Sequence, residues 1–315
     1  MSEVLASVDS RTQLAGRNRM ELLLFSFGSG QKYGINVFKV REVIRCPSLS
    51  PVPDSDPSIK GIADIRGSTI TIIDLAQAIG LPGVAEDGLD SAFVIITEYN
   101  DNIQGFLVNG VDRIVNLSWE NIQSPPSGTT AQKNYLTAVT HVDDQLVEII
   151  DVEQVFANVI GVNTEISETT AKHASSTDVS EAMVLVADDS FVARNQVKRT
   201  LEKVGIKAVL THDGQECLAT RQKWKRNNPE LIDNLTMLIA DIEMPNMDGY
   251  TLTSAIRKDP ALKKLFIVLH SSLSGVFNAN MVEKVGADLF MSKYHPDELA
   301  ELVLDRIRDI QAGNA

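Results

Sequence analysis

The stretch LTMLIADIEMPNMDG, residues 235–249, joins an apolar run to a turn through a single acid, Asp241. The run Leu235 to Ala240 has the length and composition of a buried strand. The residues MPNMDG that follow are typical of a turn, which leads the chain away from the strand end. This pattern predicts that Asp241 is carried to the edge of a sheet and left accessible there.

Other apolar segments in the C-terminal half also end at polar side chains. These are Asp188 and Asp189 after MVLVA, Asp241 after LTMLIA, Ser271 after FIVLH, and Lys293 after ADLFMS. Helical patterns separate the segments, so the sequence predicts five βα units and a doubly wound α/β domain with a parallel sheet. The carboxyl ends of parallel strands form the ligand site of such a sheet. We therefore expect these side chains to meet at one edge.

Three converging carboxylates repel one another and require a cation. Oxygen ligands without histidine or thiol favour a hard ion, and Mg²⁺ beside a phosphoryl group fits best. Singly, each residue has an ordinary interpretation: an acid pair caps a helix, a lysine lies at the surface, and a serine caps a helix. Their conjunction favours a site that holds a phosphoryl group against a carboxylate nucleophile.

Residues 182–312 resemble the response-regulator receiver domain. The acid pair, the stretch Asp241-Ile-Glu-Met-Pro-Asn-Met-Asp-Gly249, Ser271 and Lys293 match its signature in order. The interval from Asp188 to Asp241 is longer than usual, with WKRNNPELIDN as the insertion. The resemblance implies roles for seven residues: Asp241 as phosphoacceptor, Asp188, Asp189, Asp241 and the Glu243 backbone carbonyl as Mg²⁺ ligands, Ser271 and Lys293 as phosphoryl contacts, and Phe290 as the aromatic switch.

Residues 21–160 have a different pattern, in which short β-type segments alternate with turn residues. Seven segments, ELLLFSFG, KYGINV, STITIIDL, SAFVIIT, QGFLVNGV, YLTAVTHV and QLVEIID, predict a barrel-like all-β domain. Short helices are expected at Val37 to Ile44 and around Val152 to Val159. The region has no nucleophile elbow, phosphate-cradling glycine loop or ordered His/Asp/Ser set, so its predicted role is binding.

This first region resembles the CheW-like coupling domain of bacterial chemotaxis, through INVFKVREVI at 35–44 and IRGSTITIIDL at 65–75. The resemblance implies two five-stranded β-barrels, a groove for a helical receptor tip and a face for the kinase's regulatory domain. It suggests five interaction residues: Val40, Glu42, Arg66, Gly105 and Val108. Ordinary roles stay open: Val40 and Val108 in the core, Gly105 at a bulge or turn, and Glu42 with Arg66 as a surface pair.

The composition sets the domain boundaries and excludes some functions. The 315 residues divide into an N-terminal segment 1–20, a coupling domain 21–160, a flexible linker 161–181 rich in Ser and Thr, and a receiver domain 182–315. A net charge of −13 opposes a general affinity for nucleic acid or anionic membrane. Cys46 and Cys217 are expected to be reduced thiols. The sequence has no signal peptide or long apolar span, so a cytoplasmic protein is expected.

The whole chain resembles the CheV type of chemotaxis coupling protein. That resemblance implies a non-enzymatic scaffold that links the cytoplasmic tips of methyl-accepting chemoreceptors to a histidine kinase at receptor arrays. The kinase would also be the phosphodonor, other CheW-like proteins are further candidate partners, and phosphorylation of Asp241 would modulate the coupling. The receiver domain would release its phosphate by autodephosphorylation. The alternative is a phosphate sink for the kinase that the coupling domain localises. Neither nucleic-acid binding nor membrane insertion is expected.

Overall fold

The computed structural model describes residues 19–99, 102–123, 125, 135–161, 164–260, 262–271, 284–292 and 295–314. They form two compact units, one of Arg19–Gly161 and one of the described residues from 164 onward. Within the described part of the chain, no helix is both long and apolar enough to span a membrane.

The first unit consists mainly of strands. Its strands are β1 Arg19–Ser26, β2 Lys32–Asn36, β3 Val40–Arg45, β4 Ile59–Ile65, β5 Ser68–Asp74, β6 Phe93–Tyr99, β7 Asn102–Val108, β8 Gly110–Ser118, β9 Leu136–Val142 and β10 Gln145–Ile150. Its helices are α1 Leu75–Ala78 and α2 Val152–Val159, with 3₁₀ turns at Val37–Lys39, Glu86–Ser91 and Trp119–Asn121.

These strands form two five-stranded sheets, in the orders β8-β1-β2-β10-β9 and β3-β6-β7-β5-β4. Alternate residues of β1 belong to different apolar clusters. Leu22 packs with Val147 and Ile149, whereas Phe25 packs with Ile73 and other residues of the second sheet. Because side chains alternate along a strand, the run of leucines in β1 supplies two cores at once. The all-β fold with two five-stranded sheets is confirmed.

The second unit is an α/β domain. Its strands are β11 Met183–Ala187, β12 Lys207–Thr211, β13 Leu235–Asp241, β14 Phe266–Ser271 and β15 Leu289–Ser292. Its helices are α3 Glu168–Ser175, α4 Phe191–Lys203, α5 Gly214–Asn227, α6 Glu230–Asp233, α7 Gly249–Arg257 and α8 Pro296–Gln311. The strand order is β12-β11-β13-β14-β15, and each adjacent pair is parallel. This confirms the doubly wound architecture predicted from the alternating segments.

Strand β13, which contains the apolar half of the opening stretch, lies at the centre of the parallel sheet. All seven of its residues are buried. Ala240 and Leu238 contribute to the cluster that includes Leu252 of α7, whereas Met237 and Ile239 contribute to the cluster with Val303 of α8. Both faces of the strand are therefore covered by helices, which explains why its sequence is continuously apolar.

The segment predicted as a flexible linker is ordered over its described residues, 164–181. It contains α3, and Ser167 caps this helix by accepting a hydrogen bond from the Thr170 N–H. The Ser167 N–H and the Thr170 hydroxyl both donate to Asp297 Oδ1 of α8, at 2.8 and 2.7 Å, and His173 pairs with Glu301. The polar composition was misleading because caps and acceptors on α8, together with the packing of Ile166, Ala174 and Val179 on the core, hold the segment in place.

The expected helix from Val37 to Ile44 is also wrong. Only Val37–Lys39 forms a 3₁₀ turn, and Val40–Arg45 is strand β3, paired with β6. Edge pairing with a central strand determines the conformation of this β-branched segment more strongly than its weak helical periodicity. The first strand of the unit, β1, begins at Arg19, two residues before the predicted start of the domain at residue 21.

Removing the acceptor on α8 should release α3. The Ser167 N–H and Thr170 hydroxyl hold the pKa of Asp297 below its ordinary value, so their stabilisation is present above about pH 4 and is lost as the pH falls through that lowered pKa. At neutral pH, Asp297→Ala is expected to speed amide exchange in residues 167–175 about fivefold, or ~1 kcal/mol. Hydrogen–deuterium exchange of the full chain measures this. Glu298→Ala, at the neighbouring exposed acid, is the control, and equal exchange in both variants would contradict the docking.

Candidate functional site

Three titratable side chains converge at the carboxyl edge of the parallel sheet. Asp188 follows β11, Asp241 ends β13 and His270 lies in β14, with exposed fractions of 0%, 3% and 3%. A carboxylate oxygen of each acid and a ring nitrogen of His270 lie within 4.8 Å of one another. The predicted meeting of Asp188 and Asp241 therefore agrees with the geometry, and a histidine joins them.

Strand register explains this convergence. Asp241 pairs with His270 across β13 and β14, and Ala187 pairs with Ala240 across β11 and β13. The residues two positions before each site residue, Val186, Ile239 and Val268, share one apolar cluster with α4 and α8. Because side chains alternate with a period of two, Asp188, Asp241 and His270 continue that face of the sheet.

A hydrogen bond from Ser190 orients the carboxylate of Asp188, and His270 lies beside it. Oδ1 of Asp188 accepts from the Ser190 N–H at 2.8 Å, and Oδ2 of the same carboxylate lies 3.2 Å from Nε2 of His270. The guanidinium of Arg194, on α4, donates to the backbone carbonyl of Asp188. Buried carboxylates require nearby cations or donors; the Ser190 N–H is such a donor, and the guanidinium of Arg194 brings a positive charge to the backbone of the same residue.

Neither His270 nor Arg194 is among the residues predicted from the sequence. The prediction of an oxygen-only site without histidine is wrong, because His270 lies among the carboxylates. A signal was present in the sequence: His270 is two residues after the apolar Val268, so both side chains lie on the same face of their strand. Only the pairing of β13 with β14, which the sequence does not state, reveals that this face brings the imidazole beside Asp241.

The turn after Asp241 is fixed by close backbone packing. The Ile242 N–H donates to the His270 carbonyl at 3.0 Å, and the Gly249 N–H donates back to the Ile242 carbonyl at 3.1 Å. A Cβ added at Gly249 would lie 2.4 Å from the Asp241 carbonyl oxygen. Asn246, with a positive φ of 59°, donates to Asp213 at 2.7 Å. The MPNMDG sequence therefore returns the chain against the strand end, and glycine is required where it does so.

Glu243 lies in this turn with its residue partly exposed. The neighbouring Tyr250 lies in the first turn of α7 and is buried. Burial, together with the negative charges of Glu243 and Asp248, raises the pKa of Tyr250 to about 12. The phenol consequently stays neutral at physiological pH, so it adds no charge beside the acidic edge.

Other predicted receiver residues occupy neighbouring positions. Asp189 is partly exposed beside Asp188. Ser271 is 1% exposed and, by alternation, belongs to the face of Leu269, opposite that of Asp241. Phe290 pairs with Leu269 across β14 and β15 and packs, partly buried, against the cluster on that same face. Lys293 lies outside the described residues.

The suggested interaction residues of the first unit separate into two groups. Val108 is fully buried, and a Cβ at Gly105 would lie 2.5 Å from Val94, so neither presents a side chain to a partner. Strand β7, which carries both, is central in its sheet, and this burial corrects their assignment as interaction residues. Val40 is partly buried against the core.

Glu42 and Arg66 remain at the surface of the first unit. They form an ion pair of 2.6 Å, in which the Arg66 side chain is 79% exposed. Glu42 lies on edge strand β3 and Arg66 in the turn between β4 and β5, the other edge of the sheet. The pair therefore joins the two edges of the sheet and leaves most of the guanidinium accessible to a partner.

Comparison with known proteins assigns both units. The family described as the CheW-like domain matches residues 21–159, and the response regulator receiver domain matches 184–304. Chemotaxis protein CheV3 of Helicobacter pylori is 32% identical over 276 residues, covering 85% of this chain and 86% of that protein. The chain belongs to the CheV family.

Two further relatives support this assignment. Chemotaxis protein CheV1 of Helicobacter pylori is 28% identical over 96% of this chain and 98% of its own length. Chemotaxis protein CheW of Klebsiella aerogenes is 27% identical over 49% of this chain and 92% of its own length. The chain is thus a CheV-family chemotaxis coupling protein with a phosphorylatable receiver domain.

The acidic edge has the donors that a divalent cation requires. Asp188 and Asp241 bring carboxylate oxygens together in a buried site, and Asp189 lies beside them at the surface. Carboxylates and carbonyls suit Mg²⁺, and neutralising clustered carboxylates stabilises the site. The residues therefore fit a hard cation, while His270 adds a nitrogen donor that such a cation does not need.

The close approach of Gly249 gives a direct test of how this CheV-family site is held. Gly249→Ala should displace the Asp241 carbonyl and lower the stability of the receiver unit by about 2 kcal/mol. Native-state hydrogen exchange of the β13 amides measures this change. Gly88→Ala is the control, because its Cβ would make an ordinary contact of 3.6 Å. Unchanged β13 protection in Gly249→Ala would contradict the close packing.

Proposed function

We propose that this protein couples chemoreceptors to the chemotaxis histidine kinase through its CheW-like unit, and that phosphorylation of Asp241 changes this coupling. Its membership of the CheV family supports the general role. The observation that carries the second part is the position of Asp241, a buried carboxylate at the carboxyl end of the central strand, beside Asp188 and His270.

The position of Asp241 supports a phosphoryl transfer to its carboxylate. A carboxylate oxygen of Asp241 attacks the phosphorus of a phosphohistidine on the kinase, and a new P–O bond forms. The P–N bond breaks, its electron pair stays on the leaving imidazole, and that imidazole takes up a proton. Arg194, which contacts the Asp188 carbonyl, brings a positive charge to this edge of the sheet.

Asp188, Asp189, Asp241 and the backbone carbonyl of Glu243 would hold the Mg²⁺ ion. When bound, the ion neutralises the negative charge that accumulates between the carboxylates and the phosphoryl group. The Ser190 N–H keeps Asp188 oriented toward the edge through its bond to Oδ1. Glu243, partly exposed in the turn after Asp241, would influence the water that releases the phosphate if the receiver unit autodephosphorylates.

Residues on the opposite face of the sheet would respond to the phosphoryl group. Ser271 would donate its hydroxyl to a phosphoryl oxygen, and Lys293 would pair with the phosphoryl charge. Phe290 would then fill the space beside Leu269 as Ser271 moves. Because Phe290 has no hydroxyl, this switch operates through packing against the α7 side of the sheet.

The partners proposed for the CheW-like unit are the kinase, the cytoplasmic tips of chemoreceptors and other CheW-like proteins, at receptor arrays. The surface around the Glu42–Arg66 ion pair, where the two edges of the sheet meet, is the candidate contact surface, and Val40 lies next to it on β3. An exposed arginine on a sheet edge is a frequent anchor in protein interfaces. The unit acts as a scaffold, and the receiver unit supplies regulation.

Phosphoryl transfer is tested with the purified phosphorylated kinase and the full chain. The parent should gain one phosphoryl group on Asp241, as measured by intact mass, and Asp241→Asn should gain none because its amide oxygen is a poor nucleophile. Asp309→Asn, at an exposed acid on α8, is the matched control and should behave like the parent. Phosphorylation of Asp241→Asn at the parental level would place the acceptor elsewhere.

The contact surface is tested by exchanging its charges. Glu42→Arg or Arg66→Glu alone breaks the surface pair, which should cost under ~1 kcal/mol of stability. The double exchange restores an ion pair with reversed polarity. If this edge binds the kinase, the double variant should keep parental stability and still lose at least about tenfold in kinase affinity, measured by titration. Full recovery of affinity in the double variant would limit the pair to a structural role.

A further inference from the structure

His270 is a polar side chain at a position where the alternation along β14 predicts an apolar residue of the core. The preceding residue on the same face, Val268, is fully buried in the cluster with α4 and α8. His270 is itself 3% exposed, and its Nε2 lies 3.2 Å from the outer oxygen of Asp188. Burying an imidazole is unfavourable unless polar groups compensate for its lost hydration. The polar groups nearest to the imidazole are the carboxylates of the acidic edge, so we assign His270 to that site.

The donor set at this edge therefore mixes oxygen with nitrogen. Asp188 and Asp241 each offer a carboxylate oxygen, and His270 offers a ring nitrogen, all within 4.8 Å of one another. Mg²⁺ prefers oxygen ligands and keeps several waters. Imidazole favours later first-row metals, whose affinity for nitrogen-containing sites rises from Mn²⁺ toward Cu²⁺. A buried imidazole among the carboxylates should consequently change which ion the site selects.

We propose that His270 is a metal ligand of the receiver site, and that it makes the site prefer a divalent transition metal over Mg²⁺. The inference rests on the metal site of the proposed function; it adds His270 as a ligand and changes the ion that the site binds most tightly from Mg²⁺ to a transition metal. Nε2 of His270 supplies the nitrogen, Asp188 and Asp241 supply oxygens, and water completes the coordination. His270 then sets metal selectivity, while the carboxylates set the overall affinity for divalent ions.

A simpler role for His270 makes a different prediction. If the imidazole only orients Asp188 by a hydrogen bond, its loss should weaken the binding of every divalent ion by a similar factor, because each ion binds the same carboxylate. If the imidazole is a ligand, its loss should weaken Co²⁺ binding strongly and Mg²⁺ binding little. The ratio of the two affinities separates these roles, whatever happens to their absolute values.

The test titrates the full chain, without any phosphodonor, with Co²⁺ and with Mg²⁺. In the parent, Co²⁺ should bind at least about tenfold more tightly than Mg²⁺, and His270→Val should lose about tenfold or more of the Co²⁺ affinity while Mg²⁺ affinity changes by less than about threefold. His173→Gln is the matched control, since His173 with Glu301 and Asp305 is the second histidine-carboxylate cluster among the described residues. It should leave the high-affinity Co²⁺ site intact.

A second measurement keeps the test valid if His270→Val fails to fold. Proton NMR of the parent's Co²⁺ complex should show an exchangeable imidazole resonance shifted strongly by the paramagnetic ion. That resonance should persist in His173→Gln. Its absence from the parent complex, or its loss in His173→Gln, would overturn the proposal, as would an equal Co²⁺ to Mg²⁺ ratio in the parent and His270→Val.

Failure of this inference and failure of the proposed function are distinguishable. Metal binding is measured without the kinase, so an inability of Asp241 to accept phosphate does not alter it. Intact phosphoryl transfer to Asp241 with an unchanged metal ratio in His270→Val would overturn the role of His270 and leave the proposed function standing.

Discussion

Asp188, Asp241 and His270 meet because β11, β13 and β14 are parallel strands whose carboxyl ends reach the same edge of one sheet. The register that pairs Asp241 with His270 fixes both side chains on the face covered by α4 and α8. The remaining features of the receiver unit support this edge. Helices cover both faces of β13, and Gly249 allows the following turn to return against the Asp241 carbonyl.

The edge combines accessibility with burial. A carboxylate fully exposed to water would be a poor site for an ion and a phosphoryl group, because water screens the charges. A carboxylate buried without partners would be unfavourable, and it would become protonated. Asp241 lies between these limits: it is buried, yet it is the last residue of its strand, at the carboxyl edge of the sheet. The expected cation would compensate for the charge of its carboxylate.

Much of the chain could be predicted from the sequence. The continuous apolar strands and the polar residues at their ends identified the α/β unit, Asp188 and Asp241. Other features depend on pairings that no local pattern states. Strand β3 exists because β6 pairs with it, and α3 is held by Asp297, more than 120 residues further along the chain. The positions of His270 and Val108 could not be predicted for a related reason, since the surroundings of each side chain depend on the neighbouring strands.

The central claim is that phosphorylation of Asp241 alters coupling in the CheW-like unit. The most direct measurement is kinase activity in a reconstituted mixture of receptor, kinase and this protein. It compares the parent, Asp241→Ala, and a chain cleaved between the two units. The parent's effect on kinase activity should change as Asp241 becomes phosphorylated, and both altered forms should lose that change while the CheW-like unit still binds. Identical kinase activity with all three forms would contradict the claim, and rapid loss of phosphate without any change in coupling would favour a phosphate sink instead.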